Sequence, residues 1–459
     1  MQCLGFDVNF FLTSRPLTSL ERLAILSLVK TQRQTLIIGA GLAGLSAAYK
    51  LKRGFRIVEK MNRIGGICDT EIVGGFRFDE TGHLLHLGKG AVRKATLALL
   101  DKEPLVIDRR ARIFSHGTYT RYPFQANTFG LPTPVVAECL TGFIDAERRK
   151  VTDTASPKTF EAFIHKHFGD GIAKHFMIPY NAKLWGVHPK HITSDWCKRF
   201  VPIPDAASVV AGAIGVTEKK MGYNASFFYP EKGIGDLPNA FARRVAGIEL
   251  NTAPKAVDLK KRAVYIGGEW VPYHALITTI PLPVFMHLVT SALPKGIAAA
   301  AGTLQCTRLR YLNIALNRPC GTDHHWTYVP ERKYPFYRVG SYSNFSEKLA
   351  PPGKGSLYVE LTSRRPIDLP TLMPGVTAGL IDMGIIKNAS DIAFALPREI
   401  RYAYVVYNFD YSNAVPKLLS WLETHGVFSA GRYAVWEYAA MEDAIRQGFN
   451  AADKARALS

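Results

Sequence analysis

Gly39, Gly41 and Gly44 stand at the spacing G-x-G-x-x-G, and Glu59 follows twenty residues after the first of them. Glycines at these offsets permit a tight turn at Gly39, close approach of a pyrophosphate to the backbone at Gly41, and packing of a helix on a strand at Gly44. An acid at that remove can accept hydrogen bonds from an adenosine ribose. Such chemistry needs a βαβ unit to position it, and the flanking sequence supplies one. Thr35-Leu36-Ile37-Ile38 is a short apolar run that reads as a buried parallel strand. Leu42 to Leu51 has helical spacing and good helix formers, and Phe55 to Val58 is a second strand ending at Glu59. The order strand, glycines, helix, strand and acid distinguishes a dinucleotide site from a merely glycine-rich turn.

Arg63-Ile64-Gly65-Gly66 comes next, with Thr70 four residues on. Paired glycines expose unhindered amides, and Arg63 offers positive charge to a diphosphate. This stretch resembles the RxGG element that follows the first βαβ unit in the amine oxidase-like flavoproteins, where it lies against the cofactor's phosphates and flavin. The resemblance implies FAD, not NAD. Gly431 and Arg432, with Met441, Glu442 and Asp443 at the head of a closing helix, complete the expected cofactor contacts.

At 459 residues the chain is too long for one simple core, so two or three lobes are expected. A hydrophobic content of 47% with 21% charged residues suits a globular enzyme. The net charge of +19 fits an anionic partner, but the basic residues are scattered in short clusters such as Arg148-Arg149-Lys150 and Lys219-Lys220. No basic helix or RNA-binding signature accompanies them, so no nucleic-acid partner is expected. Six widely spaced cysteines without a CxxC pair argue against a zinc site and a disulfide framework, and fit a reducing, cytoplasmic setting. No apolar run reaches the length of a membrane span. Residues 1–33 carry Phe10, Phe11 and Leu12 interrupted by Arg15, Glu21 and Arg22, without a small-residue cleavage site, and read as an N-terminal extension, not a secretion signal.

The remaining pattern predicts an α/β chain: a discontinuous Rossmann-like FAD-binding domain (34–84, 222–285 and 401–459), a helical insertion (85–221) and a second mixed or antiparallel sheet (286–400). Prolines at 123, 132, 157, 179, 189 and 202 mark boundaries within a region from about Val92 to Val216 that reads as mainly helical. Ala206 to Val216 reads as a packed helix within it. A small meander around Ala263–Ile266 is expected to return to the cofactor sheet through His274 to Ile280. Gly431-Arg432-Tyr433 reads as a strand before the closing helix.

Laid out in this way, the chain from about residue 34 onward resembles the UDP-galactopyranose mutases, within the wider amine oxidase and protoporphyrinogen oxidase group. The strings that carry the resemblance are Tyr122-Pro123-Phe124-Gln125, Ile178-Pro179-Tyr180-Asn181-Ala182-Lys183-Leu184-Trp185, Asn224 to Pro230, and Pro335-Phe336-Tyr337-Arg338 with Ser343-Asn344. The resemblance implies interconversion of the pyranose and furanose forms of a UDP-sugar without net redox, through an adduct between the sugar and N5 of a flavin that an electron donor has first reduced. It implies that Tyr122 and Gln125 contact the uridine, that Arg338 stabilises the departing diphosphate with Tyr328 nearby, and that Asn224 belongs to the substrate lobe. His83 would lie beside the flavin. On residue type alone, Tyr122 and Phe124 serve equally as core aromatics, and His83 as a partner for a buried carbonyl.

Three positions depart from the mutase pattern. Phe200 stands where a second diphosphate arginine is expected, leaving Arg199 one residue short of it. Phe345 replaces a diphosphate-binding tyrosine, and near Phe409 to Pro416 Tyr411 is only a displaced substitute. A net oxidase or desaturase acting on an amine, porphyrinogen or lipid is therefore the alternative activity, and a non-catalytic flavin scaffold a third. No metal site is expected in any of these.

Overall fold

The computed structural model describes residues 34–216, 225–361 and 367–458. Residues 1–33 and Asn224 lie outside them. Two seven-stranded sheets organise this mixed α/β chain. In the first, Gln34–Ile38 runs parallel to Phe55–Val58 on one side and to the second half of Glu269–Thr278 on the other. Leu36, Ile37 and Ile38 are all fully buried, which explains why this strand is continuously apolar and not alternating. Val427–Ser429 extends the parallel set. The expected meander returns to this sheet through one ten-residue strand, Glu269–Thr278, whose first half pairs antiparallel with Ala263–Ile266.

The helix Leu42–Leu51 lies on this sheet and ends at Lys52 (φ 67°) and Gly54 (φ 73°), where left-handed backbone stops it. Its small residues let the closing helix Met441–Ala457 approach closely: a Cβ on Gly448 would collide with Ala43 and Ser46. Strand Val427–Ser429 ends before Gly431, which sits in a turn at φ 88°. The strand expected at Gly431-Arg432-Tyr433 is thus displaced upstream, because the glycine is needed where the chain reverses.

The second sheet runs in the order Ile392–Ile400, Leu309–Leu316, Gly355–Leu361, Phe336–Ser341, Trp326–Tyr328, Ala111–Ser115, Thr118–Arg121. The last two strands come from the stretch expected to be mainly helical. They form a hairpin whose turn residues, His116 (φ 53°) and Gly117 (φ 77°), both have positive φ. That turn matches the twist of the strands it joins, and the Ile, Phe, Thr and Tyr around it favour strand over helix. Proline spacing hid this signal.

A further strand in the region, Leu105–Asp108, pairs antiparallel with Ser226–Tyr229. Its main helices are Thr133–Lys150, Phe160–Ile172, Ile178–Trp185 and Ala206–Ala213. The expected packed helix from Ala206 is capped by Asp205, which accepts from the Ser208 amide at 2.7 Å. Phe124, Phe143, Phe160, Ile164, Phe168 and Trp185 fill this lobe against the sheet face that carries Ile113, Tyr311 and Tyr337. The opposite sheet face, with Phe114, Leu312 and Val339, is covered by the helix Leu369–Asp382.

Candidate active site

The glycine turn has the geometry its spacing implies. Gly39 adopts φ 100°, and its amide donates to the Val58 carbonyl at 2.8 Å. A Cβ on Gly44 would strike the Gly39 carbonyl, so only glycine lets this helix sit so close to its strand. Gly41 differs: an added Cβ would find no atom nearer than the Gly66 Cα at 3.9 Å and the Gly65 oxygen at 4.0 Å. The space above it is a trough walled by other glycine backbone. Gly41 also forms a parallel bridge with Gly65, which links the two glycine motifs. The helix begins there with no side-chain cap, so its first-turn amides are available to an anion. Glu59 is buried and accepts from the amides of Ala40 at 2.8 Å and Met61 at 2.9 Å. Those bonds hold the carboxylate still, and its remaining lone pairs suit ribose hydroxyls.

Arg63 plays a different part from the one its charge suggests. Its guanidinium pairs with Glu80 and with Asp69 at 3.1 Å, and donates to the Gly66 carbonyl at 2.9 Å. Two carboxylates take up its charge, so it braces the glycine pair and offers little net attraction to a diphosphate. Arg432 is the opposite case. It donates to the carbonyls of Ala403 (3.0 Å) and Ala439 (3.3 Å), and its buried Nε has no hydrogen-bond partner among the described residues. Its guanidinium lies 4.5 Å from the Tyr438 ring and 5.3 Å from Tyr404, and among the described residues no carboxylate pairs with it. The Gly431 amide donates to Gln447 Oε1 at 2.8 Å. Met441 is buried, Asp443 accepts from the Ala440 amide at 3.0 Å, and Glu442 accepts from the Gly88 amide at 3.1 Å. The two acids thus order the helix start and its neighbouring loop.

On the second sheet, Tyr328 and Arg338 are direct cross-strand partners on the face turned to the helical lobe. Arg338 donates from Nε (2.8 Å) and Nη2 (2.5 Å) to both oxygens of Glu360, a carboxylate with no exposed surface. Burial opposes the guanidinium's charge, but the Glu360 carboxylate together with Tyr404, Tyr358 and Tyr180 outweighs it and holds the pKa well above the ordinary arginine value. Nη1 makes no hydrogen bond to a described residue. Around this group stand Tyr358, whose ring centroid is 6.0 Å away, Tyr180, edge-on to Tyr328 at 5.2 Å, and Tyr122, 5.3 Å from Tyr328. Arg109 covers the Tyr122 ring at 4.6 Å. Gln125 is buried, with its amide nitrogen donating to the Pro202 carbonyl at 2.8 Å, which leaves Oε1 as the acceptor end. Lys183 donates to the carbonyls of Glu331 (2.9 Å) and Phe336 (2.5 Å), tying the helical lobe to the turn between Tyr328 and Arg338.

His83 lies close enough to both arginines to feel their charge. Burial, then Arg432, then Arg338 push its pKa down to about 4 against the opposing pull of the Glu80 and Thr81 backbone, so the ring is neutral at pH 7. Among the described residues its buried Nδ1 has no hydrogen-bond partner. Of the remaining predicted residues, Asn224 and the side chain of Arg199 fall outside the described set. The three departures resolve differently. Phe345 is buried against Phe227, Tyr229 and Tyr342 and is a core residue. Tyr411 donates to the Trp436 carbonyl at 2.8 Å, which ties it to the loop after Arg432. The Phe200 ring meets Tyr438 edge-on at 4.7 Å. Reading by motif missed Glu360, Tyr358, Tyr404 and Tyr438. The acid at 360 in the otherwise apolar run Leu357–Leu361 was the available signal, since an unpaired buried carboxylate is not tolerated.

A glycine trough beneath an uncapped helix, a locked ribose acid and a buried arginine with an unpartnered nitrogen together fit a dinucleotide carrying a flavin. The chain is a flavoenzyme that binds FAD. It belongs to the flavin-containing amine oxidoreductase family, which it matches over residues 42–371. Among curated relatives it is 26% identical over 264 residues to protoporphyrinogen oxidase 2 of Arabidopsis thaliana, covering half of each chain. It is 24% identical over 321 residues to coproporphyrinogen III oxidase of Mycobacterium bovis, covering 64% of this chain and 68% of that protein. Among solved structures, a reduced UDP-galactopyranose mutase superimposes with a TM-score of 0.88 at 25% identity, over 93% of this chain and 94% of that one. Among the described residues, no helix is long and apolar enough to cross a membrane.

Proposed function

We propose that this flavoenzyme isomerises the sugar ring of a nucleotide-linked sugar, with a UDP-sugar as substrate. The observation that carries the reading is Arg338, held rigid by Glu360 with Nη1 making no hydrogen bond to a described residue, in a wall of tyrosines facing the helical lobe. The likeness to the reduced mutase over most of both chains supports it. When bound and reduced, the flavin supplies the nucleophile for the anomeric carbon. Arg338 then holds the diphosphate that departs and returns, a task suited to a guanidinium whose orientation is already set. Tyr328 and Tyr404 offer hydroxyl donors beside it, and the rings of Tyr122 and Tyr180 keep water from a reactive sugar cation. Tyr122, its ring carrying Arg109, would lie beside the base, and Gln125 Oε1 can accept the imide N–H of uracil. His83, a neutral ring, would hydrogen-bond next to the flavin through Nδ1 without adding charge.

A second reading has a specific support: the sequence likeness to two porphyrinogen oxidases. In that reading Arg338 and Arg432 would bind substrate carboxylates, and hydride would pass to the oxidised flavin. One experiment separates the two. Dithionite-reduced protein is incubated with UDP-galactopyranose and the products are resolved by chromatography; oxidised protein is mixed anaerobically with coproporphyrinogen III while flavin absorbance is followed. Appearance of UDP-galactofuranose with no flavin bleaching in the second arm supports the mutase. Bleaching without sugar isomerisation replaces it with the oxidase.

A further inference from the structure

The edge hairpin carries a second concentration of positive charge, on the sheet face away from Arg338. Register fixes the sides: Tyr328 lies beside Ile113 and Arg338, whereas Arg112 lies beside Thr327 on the opposite face. Arg112 is directly across from Arg121 in the hairpin. Like charges in that relation repel, whereas an acid opposite an arginine would stabilise the pair. Among the described residues no carboxylate pairs with either guanidinium. Asp323, the acid whose charge reaches Arg112, is paired with Arg110 at 3.3 Å. Burial and the neighbouring Arg121 pull the Arg112 pKa below its ordinary value, outweighing the opposing charge of Asp323.

Both arginines open on a cleft of about 340 Å³, lined also by Tyr119, Asn127, Phe129 and the end of the helix Ala206–Ala213. Its other polar groups are already used: Tyr119 donates to the Met383 carbonyl at 2.6 Å, and Asn127 to the Pro123 carbonyl at 3.0 Å. Phe129 is 60% exposed yet fixed, its amide donating to the Gly212 carbonyl at 3.1 Å and its ring lying against Gly215. We propose that this cleft binds a phosphate monoester carried on a flat ring, with Arg112 and Arg121 taking the phosphate and Phe129 the ring. Two guanidiniums can share one dianion, and that dianion removes the repulsion between them. An aromatic face at the cleft's rim suits the ring of the same molecule.

Calorimetry on the FAD-loaded protein with phenyl phosphate and with inorganic phosphate, at matched ionic strength, tests the assignment. Binding of one equivalent of phenyl phosphate is expected to persist in Arg338→Lys, which keeps a cation beside Glu360. It should weaken at least tenfold in the double variant Arg112→Gln/Arg121→Gln. That variant should melt no lower than wild type, because it removes a repulsion. Phe129→Ala should weaken phenyl phosphate and leave inorganic phosphate unchanged. Binding lost in Arg338→Lys and retained in the double variant would place the phosphate in the tyrosine-lined site and overturn the proposal. Absence of saturable binding to wild type would overturn it too. Equal affinities for the two probes, unmoved by Phe129→Ala, would remove the ring from it.

Discussion

Arg338→Met tests the buried pair and the proposed chemistry at once. The substitution keeps most of the side-chain volume and strands the Glu360 carboxylate, which has no exposed surface and two hydrogen bonds to lose. Removing one partner of a buried pair costs about 3–5 kcal/mol. Arg338 retains 18% of its exposure, which places the expected loss near the lower end, about 3 kcal/mol. Chemical denaturation of the FAD-loaded protein should show it. Turnover should fall as well, since a hydrogen bond to a charged group contributes about 1.5–3 kcal/mol, or more than tenfold in rate. The double variant Arg338→Met/Glu360→Leu separates the two effects, because an apolar pair of similar volume is often neutral to stability. It should regain most of the stability and none of the activity. Wild-type stability in the single variant would mean that no buried pair is broken. Recovery of turnover in the double variant would mean that Arg338 does not touch the substrate.

Denaturing the protein with acid should release free FAD into the supernatant, and recovery of FMN or NAD instead would contradict the assignment. Gly41→Ala should leave the melting temperature of the cofactor-free protein unchanged, since its Cβ meets no protein atom within 3.9 Å, while FAD affinity falls roughly tenfold, about 1.4 kcal/mol. Gly44→Ala, whose Cβ would collide with Gly39, should lower stability even without FAD. In the reduced protein, UDP should bind measurably and in preference to ADP and GDP; equal affinities in calorimetry would remove the uridine contacts at Tyr122 and Gln125. His325, fully buried beside Phe227, has its pKa pushed down to about 4 by burial and by Arg110, against 6.5 ordinarily. Between those values the unfolded chain binds the extra proton, so this residue contributes stability that is lost as pH falls through that window. Asp79 acts in the opposite sense, because burial raises its pKa to about 7 and its contribution declines as pH rises towards neutrality. Denaturation midpoints of His325→Gln measured from pH 4 to 6.5 should therefore climb less steeply with pH than those of wild type.

What could be read without coordinates was local. The turn at Gly39–Gly44 and the acid at Glu59 lie within one βαβ unit, where spacing alone determines which backbone groups face a ligand. Arg338 was legible through the aromatic string before it, but its partner Glu360 is joined to it only by strand pairing. For the same reason the charge of Arg63 looked available until the chain folded Asp69 and Glu80 onto it. Phe345 was read as an altered phosphate contact, whereas it fills the core between Phe227 and Tyr342; a residue's address in a motif does not say which way its strand or turn presents it. The 111–121 hairpin is short, and the prolines spaced through the region conceal it. The His116-Gly117 turn was the cue for it.

That hairpin also bears on the timetable of synthesis. Ala111 pairs with Trp326, so the strand beside it is translated only after the whole helical lobe has emerged. At roughly 5–20 residues per second, the hairpin's inner edge stays unpaired for about 10–40 s. Exposed strand edges invite association with other chains, and nascent chains on the same message would present the same edge together. The helical lobe meanwhile lacks the sheet face against which Phe124 and Tyr180 pack. A chaperone that holds the chain between these two moments would therefore raise the yield of active enzyme more than one that acts on the finished polypeptide.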